Sequence, residues 1–100
     1  MKIDLSNKKV LITGASKSIG FVIAKKFIDC SAIVTINSRS SQNLKLAKKK
    51  INNKNLFTLQ FDLNYEPNIS KLAINANKIM NGIDIVICNL GDGRKRKEIG

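Results

Sequence analysis

Four short polar clusters hold the residues able to do chemistry, and each follows an apolar run: Gly14-Ala15-Ser16-Lys17-Ser18-Ile19-Gly20, Asn37-Ser38-Arg39, Asp62-Leu63 and Asn89-Leu90-Gly91. In the first cluster Gly14 permits a tight turn that a side chain would obstruct. A helix opening just after that turn points unpaired N–H groups and a partial positive charge back at it, which favours a phosphate. Gly20 lets such a helix lie close to the preceding strand. The spacing is not Gly-x-Gly-x-x-Gly, because Ala15 and Ser16 follow Gly14. Nor is it a P-loop, because Ile19 holds the second glycine position and no Gly-Lys-Ser/Thr follows.

Composition removes other chemistries. The chain contains no histidine, so a Ser-His-Asp or Cys-His nucleophile system and a His-ligated metal are excluded. Cys30 and Cys88 lie far apart in apolar surroundings, without metal-ligand spacing. They read as small buried hydrophobes in a reducing compartment, and no metal site is expected. Cys88 lacks an activating base and is not a nucleophile candidate.

The elements that must position the four clusters follow from hydropathy. Val10-Leu11-Ile12-Thr13, Ala32-Ile33-Val34-Thr35-Ile36 and Ile83 to Cys88 are continuous β-favouring runs, as expected of central strands covered on both faces. Between residues 56 and 61, Phe57, Leu59 and Phe61 alternate with Thr58 and Gln60, the pattern of an edge or half-covered strand. Ile19, Ile23 and Phe27, widened by Ala24 and Ile28, mark an amphipathic helix over 18–29. Leu44, Ala47 and Ile51 mark a second helix, with Lys45 and Lys48-Lys49-Lys50 mostly on its wet side. Pro67 opens a third, whose buried stripe is Ile69, Leu72, Ala73, Ala76, Ile79 and Met80. Asn81-Gly82 stops it, with Gly82 free to become left-handed. The order βαβαβαβ implies parallel strands joined by right-handed helical crossovers. Every strand then ends on one edge, so all four clusters meet where open α/β sheets bind ligands.

The chain has 100 residues, enough for one domain, and a formal net charge of +11. Its lysines are spread along the sequence, which reads as a generally basic solvated surface; no nucleic-acid partner is expected. No run approaches a membrane span, and the apolar run after Lys9 is too short for a signal-peptide core, so a cytoplasmic protein is expected. Residues 91–100 form a polar, unpatterned tail.

Thr13-Gly14-Ala15-Ser16-Lys17-Ser18-Ile19-Gly20 resembles the TGxxxGxG nucleotide loop of the short-chain dehydrogenase/reductase family. Asp62 resembles that family's aspartate after the third strand, which contacts adenine, and Asn89-Leu90-Gly91 resembles its Asn-Asn-Ala-Gly segment. Ser18 departs from the usual middle glycine, and Cys88 and Leu90 replace Asn and Ala. The resemblance runs from about residue 5 to residue 91 and implies a Rossmann-like α/β sheet in the order 3-2-1-4, helices on both faces, truncated after strand 4. It implies a cofactor site formed by Gly14, Ser16, Lys17, Ser18, Ile19, Gly20, Ser38, Arg39, Asp62, Leu63, Asn89 and Gly91. An NAD site normally carries Asp or Glu just after the second strand, where this chain reads Asn37-Ser38-Arg39. Arg39 suits the 2′-phosphate of NADP, to which Lys17 in the glycine loop would add a second positive charge, and NADP is expected over NAD.

The family's catalytic serine and Tyr-x-x-x-Lys lie beyond the fourth strand. Here the single tyrosine is Tyr65 and Ile69 stands four residues later, so no residue is assigned as catalytic. The expected parent is an NADP-dependent carbonyl reductase or alcohol dehydrogenase, with a 3-oxoacyl carrier-protein substrate leading by family analogy. Residues 1–100 are then the N-terminal, cofactor-binding part of its domain, inert toward hydride transfer, with an open fourth-strand edge that invites self-association. The alternatives are a non-catalytic module that binds a nucleotide or a partner, and a basic nucleic-acid binder, disfavoured because no aromatic surface accompanies the charge.

Overall fold

The computed structural model describes residues 3–14 and 18–89, with the side chain of Ser18 left aside. The elements run β1 (Lys9–Thr13), α1 (Ser18–Asp29), β2 (Ile33–Ser38), α2 (Ser41–Ile51), β3 (Leu56–Gln60), α3 (Pro67–Met80) and β4 (Ile85–Cys88). The strands pair in parallel in the order β3-β2-β1-β4, as expected. α1 and α2 cover one face, where Ala24, Ile28, Leu44 and Ala47 pack on Val10, Ile12, Val34, Ile36 and Leu56. On the other face Leu72, Ala76 and Met80 of α3 pack with Leu11.

Local chemistry ends the helices where the crossovers require. Ser40 caps α2, its Oγ accepting the N–H of Asn43 at 3.1 Å, so one orphan donor of the first turn is satisfied. Asn52 closes α2 in the left-handed region at φ 47°, donating its N–H to Lys48 O. Asn81, rather than Gly82, takes that role at the end of α3 with φ 60°. Gly82 follows at φ 130°, a value that L side chains rarely adopt, and donates its N–H to Asn77 O at 3.0 Å.

The buried stripes are narrower than the periodicity implies. Ile19 is 68% exposed, and the row facing the sheet on α1 is Gly20, Ala24 and Ile28, with Ile23 and Phe27 half-buried beside it. Small residues on that row allow close approach, which displaces the larger Ile19 sideways into solvent. On α3, Ile69, Ala73 and Ile79 are exposed. That helix lies over β2 and β3, so only the Leu72-Ala76-Met80 row reaches the sheet. The run ending in Cys88 is not covered on both faces among the described residues. β4 pairs only with β1 there, and Val86 and Cys88 are exposed. Cys88 is therefore not buried, Cys30 is half-buried, and both are free thiols.

One buried polar atom stands out. Thr35 is fully buried and its Oγ1 has no hydrogen-bond partner among the described residues, with Leu11 and Phe57 as its neighbours across the sheet. An unsatisfied buried hydroxyl carries a desolvation penalty of about 1–3 kcal/mol. Thr35→Val keeps the β-branched shape and removes that hydroxyl, so it is expected to raise stability by about 1 kcal/mol, or roughly 4 °C in Tm for a chain this size. Thermal and urea unfolding measure this, and a destabilised variant would show that the hydroxyl is satisfied.

Candidate nucleotide-binding rim

Sheet register brings the four clusters level. Thr13 pairs with Asn37 on one side and Cys88 on the other, while Asn37 pairs with Leu59 and Ser38 with Gln60. Gly14, Arg39, Asp62 and Asn89 therefore all leave the sheet at the same edge. This is the rim at which open α/β folds take ligands.

The first arm joins β1 to α1. Gly14 turns the chain at φ 64°, a conformation cheap for glycine alone. α1 opens at Ser18, so its first N–H groups, unpaired within the helix, lie at the rim. Gly20 is buried against the sheet and Ile19 is exposed at the start of the helix. Ser16, Lys17, Leu90 and Gly91 lie outside the described residues. The strand-four arm holds the turn from the other side. Asn89 donates its backbone N–H to Thr13, at 3.2 Å to the carbonyl and 3.3 Å to Oγ1, and its Nδ2 to Gly14 O at 3.1 Å. Asn89 thus orients the peptide that begins the glycine turn.

The second arm is a braced loop. Ser38 Oγ accepts from the N–H of Ser40 at 3.1 Å, and Ser38 O accepts from Phe61 N. Gln60 Nε2 donates to Arg39 O at 3.0 Å. Gln60 thus holds the Arg39 carbonyl between the bonded Ser38 and Ser40, while the Arg39 side chain is exposed. Among the described residues the single ion pair is Lys25–Asp29, so no carboxylate there neutralises the Arg39 guanidinium. The third arm carries Asp62, exposed, with Oδ1 accepting Asn64 N at 3.0 Å. Asp62 O accepts from Tyr65 N and from Asn68 Nδ2 at 2.9 Å, which fixes the turn into α3. Leu63 is half-buried against the Leu11-Leu72 cluster, so its side chain serves packing first.

Several positioning residues were not singled out from sequence. Asn37 is 2% exposed, and its Nδ2 donates to both Leu59 O and Phe61 O, at 3.2 and 3.1 Å. It ties the end of β2 to the chain leaving β3, and so fixes the spacing of the Arg39 and Asp62 arms. Gln60 and Asn68 work in the same way through backbone carbonyls. An amide at a strand end is the signal that was available, but the sequence does not reveal which carbonyls it meets.

A glycine turn and a helix N-terminus at the switch point of a parallel β3-β2-β1-β4 sheet define a Rossmann-like α/β fold. The chain belongs to the short chain dehydrogenase family, whose model matches residues 8–99. In sequence it is 32% identical over 89 residues to the glucose 1-dehydrogenase of Gluconobacter oxydans (strain 621H), covering 86% of this chain and 34% of that protein. It is 30% identical over 99 residues to the 3-oxoacyl-[acyl-carrier-protein] reductase FabG of Aquifex aeolicus (strain VF5), covering 96% and 40%. A short-chain type dehydrogenase/reductase from Mycobacterium marinum superposes with a TM-score of 0.80 at 30% identity, covering 88% of this chain and 36% of that one. The 3-ketoacyl-(acyl-carrier-protein) reductase from Brucella melitensis, solved in complex with NADH, superposes with a TM-score of 0.77 at 25% identity, covering 83% and 34%. The chain thus spans 34% and 40% of the length of the two curated relatives. No helix among the described residues is long and apolar enough to cross a membrane.

Asn37→Ala removes two side-chain hydrogen bonds at a buried site, to Leu59 O and Phe61 O, and is expected to cost about 2 kcal/mol. Asn37→Asp should cost more, because it sets carboxylate oxygens against carbonyl oxygens instead of donors. Urea unfolding of the two variants checks the order; equal stability to the parent would remove Asn37 as the brace.

Proposed function

We propose that this chain binds NADP(H) at the rim and serves a carbonyl reductase or alcohol dehydrogenase as its cofactor-holding part. The supporting observation is Arg39: a braced backbone and an exposed guanidinium just past β2, with no carboxylate partner among the described residues. An NAD site would place Asp or Glu there for the ribose hydroxyls, whereas a guanidinium matches a 2′-phosphate with paired charged hydrogen bonds. In this reading the N–H groups at the start of α1 donate to the pyrophosphate, with Gly14, Ser16, Ser18, Ile19 and Gly20 shaping the turn and Lys17 adding a cation. Ser38, Asp62 and Leu63 line the adenosine end, and Asn89 and Gly91 border the inner end. The cofactor supplies a hydride; these residues bind and orient it.

Substrate class follows by analogy with the carrier-protein reductases of Aquifex and Brucella, which makes a 3-oxoacyl thioester the first substrate to test. Tyr65 is followed four residues on by Ile69, so no acid/base tyrosine with a lysine one helical turn later stands in residues 1–100. These residues alone are expected to hold NADPH without oxidising it when simple ketones are added. Measurable NADPH consumption would overturn that reading. A cytoplasmic location accords with this cofactor chemistry.

Titration of NADPH against NADH tests the cofactor choice. Arg39→Asp is expected to weaken NADPH binding by about 1.5–3 kcal/mol, roughly tenfold to 150-fold, and to leave NADH nearly unchanged. Equal losses for both would mean that Arg39 does not read the phosphate.

A further inference from the structure

The lysines look scattered in sequence, but the fold gathers many of them at one end. Parallel strands and returning helices place every helix C-terminus at the edge opposite the rim, and there the last turns carry Lys26, Lys48, Lys49, Lys50 and Lys78. Lys8 precedes and Lys9 opens β1 at that same edge, and Lys54 precedes β3. The carboxylates there are Asp4, Asp29 and Asp84, of which Asp29 pairs with Lys25 and Asp84 accepts the backbone N–H of Lys9. Between Asp29 and Asp62 the chain has no acidic residue at all. Favourable contact with helix dipoles accounts for last-turn lysines. It does not account for Lys8 and Lys54, nor for the missing acids.

We propose that this face, opposite the cofactor rim, docks on the phosphodiester backbone of a nucleic-acid duplex, by charge and without reading sequence. What lies between the lysines favours this partner over a membrane. Asn52, Asn53 and Asn81 are exposed among them, and amides bond phosphate and sugar oxygens. The aromatic at this edge, Phe57 at the start of β3, lies half-buried under Lys48 (5.5 Å from ammonium to ring centre), while the Lys50 ammonium turns back toward Phe21 near the start of α1 (5.9 Å). A membrane-seated surface needs a continuous apolar face to insert between headgroups; here the large apolar side chains exposed near this edge are Ile3, close to the end of α1, and Ile79, in the last turn of α3, one on each side of the sheet. Lys48 also donates to Leu56 O, which directs its ammonium partly inward. Lys49 and Lys54 are exposed and carry the contact.

The inference is independent of the cofactor assignment, since the two surfaces lie at opposite edges. Fluorescence anisotropy with a short DNA duplex of arbitrary sequence tests it. With about five phosphate contacts, affinity should fall roughly 500-fold between about 50 and 200 mM salt. Lys49→Gln/Lys54→Gln should flatten the log–log salt slope by about 1.8 and weaken binding roughly sixty-fold near 100 mM salt. Lys49→Arg/Lys54→Arg should retain binding, and an unchanged unfolding midpoint in all variants separates docking from folding. The control Lys45→Gln/Lys71→Gln removes the same charge from the rim halves of α2 and α3, and should change binding little. Equal losses in the two Gln pairs would mean that net charge alone acts, and would overturn the proposal. So would tighter, Lys49- and Lys54-dependent binding to phosphatidylserine vesicles than to the duplex.

Discussion

The helical crossover between parallel strands is the constraint from which the rest of this structure follows. Each strand must be followed by a helix that returns the chain to the starting edge, so strand ends collect on one side and helix ends on the other. The consequence is chemical as well as geometric. Helix N-termini, with unpaired N–H groups and positive dipole ends, share an edge with the loops that follow the strands. An anion at that edge meets oriented backbone donors before any side chain is counted.

Backbone donors are useful only when the loops holding them are fixed, and here amide side chains do the fixing. Asn89 bonds the carbonyl that opens the glycine turn, Asn37 bonds two carbonyls beyond β3, Gln60 bonds Arg39 O and Asn68 bonds Asp62 O. Each is a neutral donor to a backbone carbonyl at the rim end of the sheet. Neutral braces add no charge to the rim, where Arg39 and Asp62 stand exposed with opposite signs.

Much of this arrangement was legible in the sequence because it depends on residue type at a fixed place. Gly14 must turn the chain, Pro67 must open a helix, and four apolar runs separated by three helical periods leave few topologies. What escaped was set by packing partners. Ile19 and Ile69 keep helical period with buried residues, yet the rows that reach the sheet are Gly20-Ala24-Ile28 on α1 and Leu72-Ala76-Met80 on α3, which leaves both exposed. Cys88 and Val86 belong to a run that looks central but pairs with β1 alone among the described residues. Asn37 reads as a loop polar residue until two carbonyls converge on it.

Charge was the hardest property to place, because sequence distance and spatial distance separate most strongly in a parallel α/β fold. Lys26, Lys54 and Lys78 are far apart in the chain, but crossovers of similar length return each to the edge at which Lys8 precedes β1. The topology that stacks N–H donors at one rim therefore stacks carbonyl ends at the other, where lysine is the favourable neighbour. The two edges attract anions for different reasons. At the rim, donors are backbone groups with fixed directions, suited to a bound phosphate of defined geometry. At the far edge, ammonium groups on flexible stems suit a polyanion that is held loosely and released by salt. A chain this basic keeps the two apart because its acid-free stretch, residues 30–61, contributes Arg39 to the rim and Lys48 to Lys54 to the opposite end.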